Sequence, residues 1–162
     1  MVRLGYRLGT KARWIYRTGR ANWLGRLYNR LWVAVAAAGI TRGYVVALEV
    51  PGRRSGRPVR LPLVPAVVKG ERYLVAMLGE SSGWVRNARA AGLAVVIVDG
   101  RRKEVRLEEV PVAERAPILK AYLRRAPGGR PHIPVDKDAP LAAFAAVAAQ
   151  FPAFRIVPRD AG

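Results

Sequence analysis

What most constrains this chain is its punctuation. Between residues 44 and 110, glycine, proline and an Asp-Gly pair cut it into short apolar, strand-like runs. Residues 44–50 and 61–68 flank a tight connection built from Pro51, Gly52, Gly56 and Pro58, which is a hairpin signal. A turn at 68–71 leads to a strand over 72–77. A strand over 93–98 turns at Asp99-Gly100 into another over 102–110, where Val105 and Leu107 alternate with charged neighbours. A closing strand is predicted over 154–157. Five or six short antiparallel strands with helices between them point to a small barrel, because closure removes exposed strand edges. The expected class is α+β, mainly β.

Helical spacing of Leu24, Leu27, Tyr28, Leu31 and Val35 after Asn22, a capping residue, predicts an N-terminal helix ending at Gly39 and half buried on the domain. Ser81-Ser82 is good helix-start chemistry for a short helix over 83–91. Residues 113–125 read as helical, with Pro117 marking the start or a kink, and 141–150 as an alanine-rich helix. The length of 162 residues suits one domain, 22–162, preceded by a leader, 1–21.

The chemistry is bounded by what is scarce. The chain has no cysteine, one histidine and 11 acidic residues, so disulfides, thiolate nucleophiles, a histidine triad and a multi-carboxylate metal site are not expected. His132, in a Pro-rich stretch, reads as a loop residue. No side chain is assigned as a catalytic acid, base or nucleophile, and no metal is assigned.

Charge runs the other way, with a net +18 at pH 7, a field that attracts polyanions whatever the fold. The first acid is Glu49, and the leader before it interleaves Arg3, Arg7, Lys11, Arg13, Arg17 and Arg20 with Tyr6, Trp14, Tyr16 and Trp23. That pattern suits an anionic membrane surface. It equally suits a helix packed on the barrel with solvated arginines. The apolar run 31–40 is too short to span a bilayer, so the expected location is cytoplasmic, with peripheral contact at the inner face of the membrane. A specific nucleic-acid partner has no support, for no helix-turn-helix, zinc module or RNP-like strand is present.

The remaining charge concentrates in the first hairpin turn, where Arg53, Arg54, Arg57 and Arg60 surround Ser55 and two glycines able to take positive φ. An anionic, phosphate-like ligand would suit this turn, as would plain solvation of a hairpin tip. Neither a Walker loop nor a GxGxxG helix start is present.

Gly52-Arg53-Arg54-Ser55-Gly56-Arg57-Pro58, then Pro62-Leu63, Leu78-Gly79-Glu80 and Trp84-Val85-Arg86-Asn87-Ala88-Arg89-Ala90, resemble the deazaflavin-dependent nitroreductase family. The resemblance covers roughly residues 29–110, with a weaker echo at 154–158. It implies a split β-barrel binding coenzyme F-420, with FMN a poorer fit. Arg53, Arg54, Ser55, Arg57 and Arg60 would hold the cofactor's phosphate- and glutamate-bearing tail, and Pro62 is also assigned to cofactor binding. Trp84 and Asn87, with Ala76, Met77, Leu78 and Gly79 at a strand end, would lie near its ring. Trp84 reads equally as a barrel plug.

The activity implied is hydride transfer from reduced F-420 to an electron-poor small molecule such as a quinone, enone or nitro compound, with Tyr122 on the substrate side. The alternative is a non-catalytic split barrel that binds a lipid or fatty acid. Three departures from the family bear on the substrate. Val59 replaces a basic or polar residue, the 79–84 loop is short, and Tyr122 is the only tyrosine after the barrel strands. Oligomeric state is not indicated.

Overall fold

The computed structural model describes residues 23–159, so the leader and the Asn22 cap lie outside the described residues. The described elements are helix α1 (Trp23–Ala37), strands β1 (Val46–Pro51), β2 (Pro58–Leu63), β3 (Ala66–Val68) and β4 (Glu71–Val75), helix α2 (Gly83–Ala90), strands β5 (Ala94–Asp99) and β6 (Arg101–Glu109), helices α3 (Arg115–Arg125) and α4 (Leu141–Val147), and strand β7 (Ala153–Pro158). The seven strands form one sheet in the order β2-β1-β5-β6-β7-β4-β3, and its six pairings are all antiparallel. The class is α+β, a split barrel with helices packed around it, as expected.

One apolar run was expected to be one strand and is two. The predicted strand over 61–68 breaks at Val64-Pro65, which brings the described strands to seven. Pro65 has no N–H to give a ladder, so pairing stops there. The consequence is architectural, because β2 and β3 are the two opposite edges of the sheet and only two residues join them. Three virtual bonds reach about 11 Å at most, so the edges must approach and the sheet must roll up. A proline break inside an apolar run thus forces the barrel.

Helices shield both edges. Helix α1 packs on β2, β1 and β5, while α3 packs on β3. The contact of α1 differs from the predicted one, since Leu27 and Leu31 are more than half exposed and the buried contact is made by Ala36 with Val45 and Ala47. This helix is apolar on more than one face, and the small Ala36 permits the closer approach. Pro117 lies in the first turn of α3, where a missing N–H costs nothing, so it starts the helix without kinking it.

The interior divides in two. Inside the barrel, Val46, Leu48, Leu74, Trp84, Ile97 and Phe154 form one core. Outside, α3 and α4 cover a second built on Ile118, Leu119, Tyr122, Phe144 and Phe151. Buried Arg115 ties α3 to the sheet: its Nε donates to the Val110 carbonyl at 2.9 Å and Nη1 to that of Ala148 at 3.2 Å, beside Glu109 at 3.5 Å.

Candidate active site

The arginine turn closes on itself. Gly52 N–H donates to the Arg57 carbonyl and Gly56 N–H to that of Gly52, both at 2.8 Å, and Arg57 N–H reaches the Ser55 hydroxyl at 3.2 Å. Only Gly56 takes a positive φ, +68°; at Gly52 space is tight, since a Cβ there would lie 3.1 Å from the Arg57 carbonyl oxygen and the Ser55 hydroxyl. The amides of Gly52, Gly56 and Arg57 hold the turn's shape.

The second motif completes the turn. Helix α2 buries Trp84, Val85 and Ala88 against the inner core and turns Asn87, itself buried, to the hairpin. Asn87 Oδ1 accepts from Arg53 Nη1 at 2.9 Å and from Arg53 N–H at 3.3 Å. Two motifs far apart in sequence therefore meet in one polar contact, which fixes both the backbone and the guanidinium of Arg53.

The four arginines have separate fates. Arg53 is bound by Asn87. Arg60 pairs with Glu49, its partner across the hairpin, at 2.7 Å, and Arg102 reaches the same carboxylate at 2.8 Å. Hydrogen bonding from Arg102, and then from Arg60, outweighs desolvation and lowers the Glu49 pKa to about 2. Arg54 and Arg57 are exposed and enter no ion pair among the described residues. They and the Ser55 hydroxyl form the uncommitted donor set of the turn. A hollow of about 170 Å³ opens beside it, with Glu49, Pro51, Gly56 and Pro58 in its wall.

The ring-side residues separate between the two cores. Trp84 packs edge-on to Phe154, ring centroids 5.5 Å apart, inside the barrel. Ala76 is buried in that same core, while Met77, its neighbour, packs against the outer one. The Tyr122 hydroxyl meets Met77 Sδ at 3.5 Å. Gly129 lies so close to the Tyr122 ring that a Cβ would come within 2.5 Å of it. Leu78 and Gly79 form the turn after β4, where Gly79 N–H donates to the Ala76 carbonyl at 2.9 Å. Glu80 and Glu109 both hold Arg89, at 2.5 and 2.6 Å, which fastens that turn to α2. Pro62 is half-buried on edge strand β2, opposite Ala47.

Sequence reading singled out neither Glu49 nor Phe154. The signal for Glu49 is its position as the first acid of the chain, in a strand whose hairpin partner carries Arg60. Phe154 has no local signal. Among the described residues no cluster suits a metal ion, and no helix is long and apolar enough to cross a membrane.

Comparison with known families gives one match, over residues 25–140, to the F420H(2)-dependent quinone reductase model. The chain belongs to that family. Its members are F-420-dependent oxidoreductases, and the cofactor of this one is coenzyme F-420. The chemistry of the donor set fits this family's cofactor, since two unpaired arginines and a hydroxyl suit a polyanionic tail.

Solved structures support the fold. A conserved hypothetical protein, Rv2991 from Mycobacterium tuberculosis, is 20% identical with a TM-score of 0.53, over 78% of this chain and 79% of that one. A candidate 5-nitroimidazole antibiotic resistance protein from Bacteroides thetaiotaomicron is 10% identical with a TM-score of 0.52, over 82% and 81%. No curated protein matches the chain.

Proposed function

We propose that this oxidoreductase reduces an electron-poor organic small molecule, a quinone, enone or nitro compound, and that the arginine turn holds the anionic tail of F-420. The observation that carries this reading is the Asn87 contact, which sets the turn against α2 through Arg53, beside the exposed Arg54 and Arg57. When bound, F-420 supplies a hydride at its deazaflavin ring. The protein's own share is positioning: Arg54, Arg57 and Ser55 bind the tail, Arg53 and Arg60 shape the turn, and Met77 with Tyr122 offers an apolar wall that excludes water on the substrate side. Trp84 supports this arrangement from within the barrel.

Replacing Arg54 and Arg57 together by Ala should weaken F-420 binding, measured by fluorescence titration, by roughly 1.5 to 3 kcal/mol for each contact that becomes desolvated and less for one that stays exposed. Affinity of the native protein should also fall with added salt. Unchanged affinity in the double variant would remove the turn from the site.

The leader is proposed as a separate unit that brings the domain to an anionic membrane surface at the inner face of the cell membrane. Its arginines and lysine supply the attraction, and the exposed Leu27, Tyr28 and Leu31 of α1 continue the apolar component onto the described domain. Vesicle sedimentation should show salt-sensitive binding to anionic but not neutral vesicles, lost on removal of residues 1–20. Equal binding by the shortened protein would assign the attraction to the barrel.

A further inference from the structure

One guanidinium joins the two elements that carry the ring-side residues. Arg89 lies in the last turn of α2, the helix of Trp84 and Asn87, and donates through Nη1 to Glu80 Oε2 at 2.5 Å and through Nη2 to Glu80 Oε1 at 3.3 Å. Glu80 follows Met77, Leu78 and Gly79, so the turn after β4 is tied to the far end of the helix it leads into. Nη2 also donates to Glu109 Oε1 at the end of β6, at 2.6 Å, and buried Arg115 of α3 stands 3.5 Å from that same oxygen. The Arg89 guanidinium lies over the Phe154 ring, 6.0 Å from its centroid, and Trp84 packs on that same ring.

The other bonds of this turn are local. Gly79 N–H donates to the Ala76 carbonyl at 2.9 Å, Ser82 N–H to that of Gly79 and the Ser81 hydroxyl to that of Leu78, both at 3.1 Å. Ala76 N–H anchors the start of the turn to the Pro152 carbonyl at 2.9 Å; toward the end of α2 and β6 the tie is Glu80. An arginine suits position 89, since a planar fork can serve two carboxylates and lie over a ring at once, whereas an ammonium is a point charge. Arg89, Glu80 and Glu109 are each at least a third exposed, and ion pairs of that exposure add little to stability. The effect of the network therefore falls on placement more than on folding.

We propose that Arg89 is a positioning residue for the ring side of the F-420 site: by holding Glu80 and Glu109 together it sets the spacing between the strand end at 76–79 and the α2 residues Trp84 and Asn87, without contacting the cofactor. This inference rests on the reading of those residues as the ring side of the site. It divides the site into two separable parts, a tail side set by Arg54 and Arg57 and a ring side set by Arg89.

The test is fluorescence titration of the full-length protein with F-420 and with a tail-less deazaflavin that lacks the phosphate and glutamates. Arg89→Gln should weaken both ligands by a similar factor, about fivefold or more, and Glu80→Gln, which opens the same bridge from its other end, should do likewise. The two changes together should cost no more than either alone, and Arg89→Lys should recover part of the loss. In the unliganded variants Tm should be unchanged while amide hydrogen exchange speeds up at residues 76–82. Arg54→Ala with Arg57→Ala should weaken F-420 and leave the tail-less compound unaffected. Native F-420 affinity in both Arg89→Gln and Glu80→Gln would overturn the inference, and a loss in the Arg54 and Arg57 variant alongside it would leave the tail reading standing. Fully additive losses, or an affinity loss matched by a fall in Tm with unaltered exchange at 76–82, would also overturn it.

Discussion

The arginine turn and the Met77–Tyr122 wall are held in place by different physics. At the turn, named polar bonds do the positioning: Asn87 holds Arg53, and Glu49 holds Arg60. At the wall, packing does it, with Tyr122 buried between Met77 and the backbone at Gly129 within a core of Ile118, Leu119 and Phe144. Polar bonds at a surface are separable, so one can be removed while the fold survives. A packed aromatic is not, because every neighbour loses contact with it at once.

The largest effect should therefore come from the wall. Tyr122→Ala should cost about 3 to 5 kcal/mol of stability, as for other large aromatic truncations in a core, read by chemical denaturation. A loss below about 1 kcal/mol would mean that the outer core collapses around the gap, and the contrast with the turn would fail.

Asn87→Ala should act in the middle of the range. Removing the acceptor for Arg53 should cost about 1 to 2 kcal/mol in stability, while F-420 affinity falls because the turn is no longer fixed against α2. Asn87→Asp should restore much of that affinity, since a carboxylate accepts from the same guanidinium. Equal loss in both variants would show that acceptance from Arg53 is not what Asn87 contributes.

The smallest effect should be seen at Glu49, and it is pH dependent. Its carboxyl titrates at about 2 in the folded protein, below its ordinary value, so its ion pairs contribute fully above about pH 4.5 and are lost as pH falls toward 2. Both arginine partners are more than half exposed, so the contribution is about 1 kcal/mol rather than the full linkage value. Glu49→Gln should flatten the stability–pH curve in that window and leave it unchanged at pH 7 apart from that constant loss. A curve that still falls in the same way would place the acid sensitivity at other carboxylates.

Much of the barrel could be read locally. Apolar alternation around Val105 and Leu107, the Asp99-Gly100 turn and the Pro-Gly connection after β1 each dictate structure within a few residues, because φ restriction and side-chain period are local properties. The exposed face of α1 could not be read this way. Its apolar residues surround more than one face, and only the fit of Ala36 against Val45 and Ala47 decides which one is buried.

By itself the sequence determined the class of the fold, the place of the arginine turn and the family motifs, since each rests on contiguous residues. The tertiary structure decided which arginines remain available. Arg53, Arg54, Arg57 and Arg60 are equivalent as letters, yet Asn87 arrives from α2 and Arg102 from β6, so two of the four become scaffold and two stay open. It also decided that residues 61–68 span both sheet edges, a consequence of one proline that acts through the whole rolled sheet. Long-range partners are set by how the sheet closes, and no local pattern carries that information.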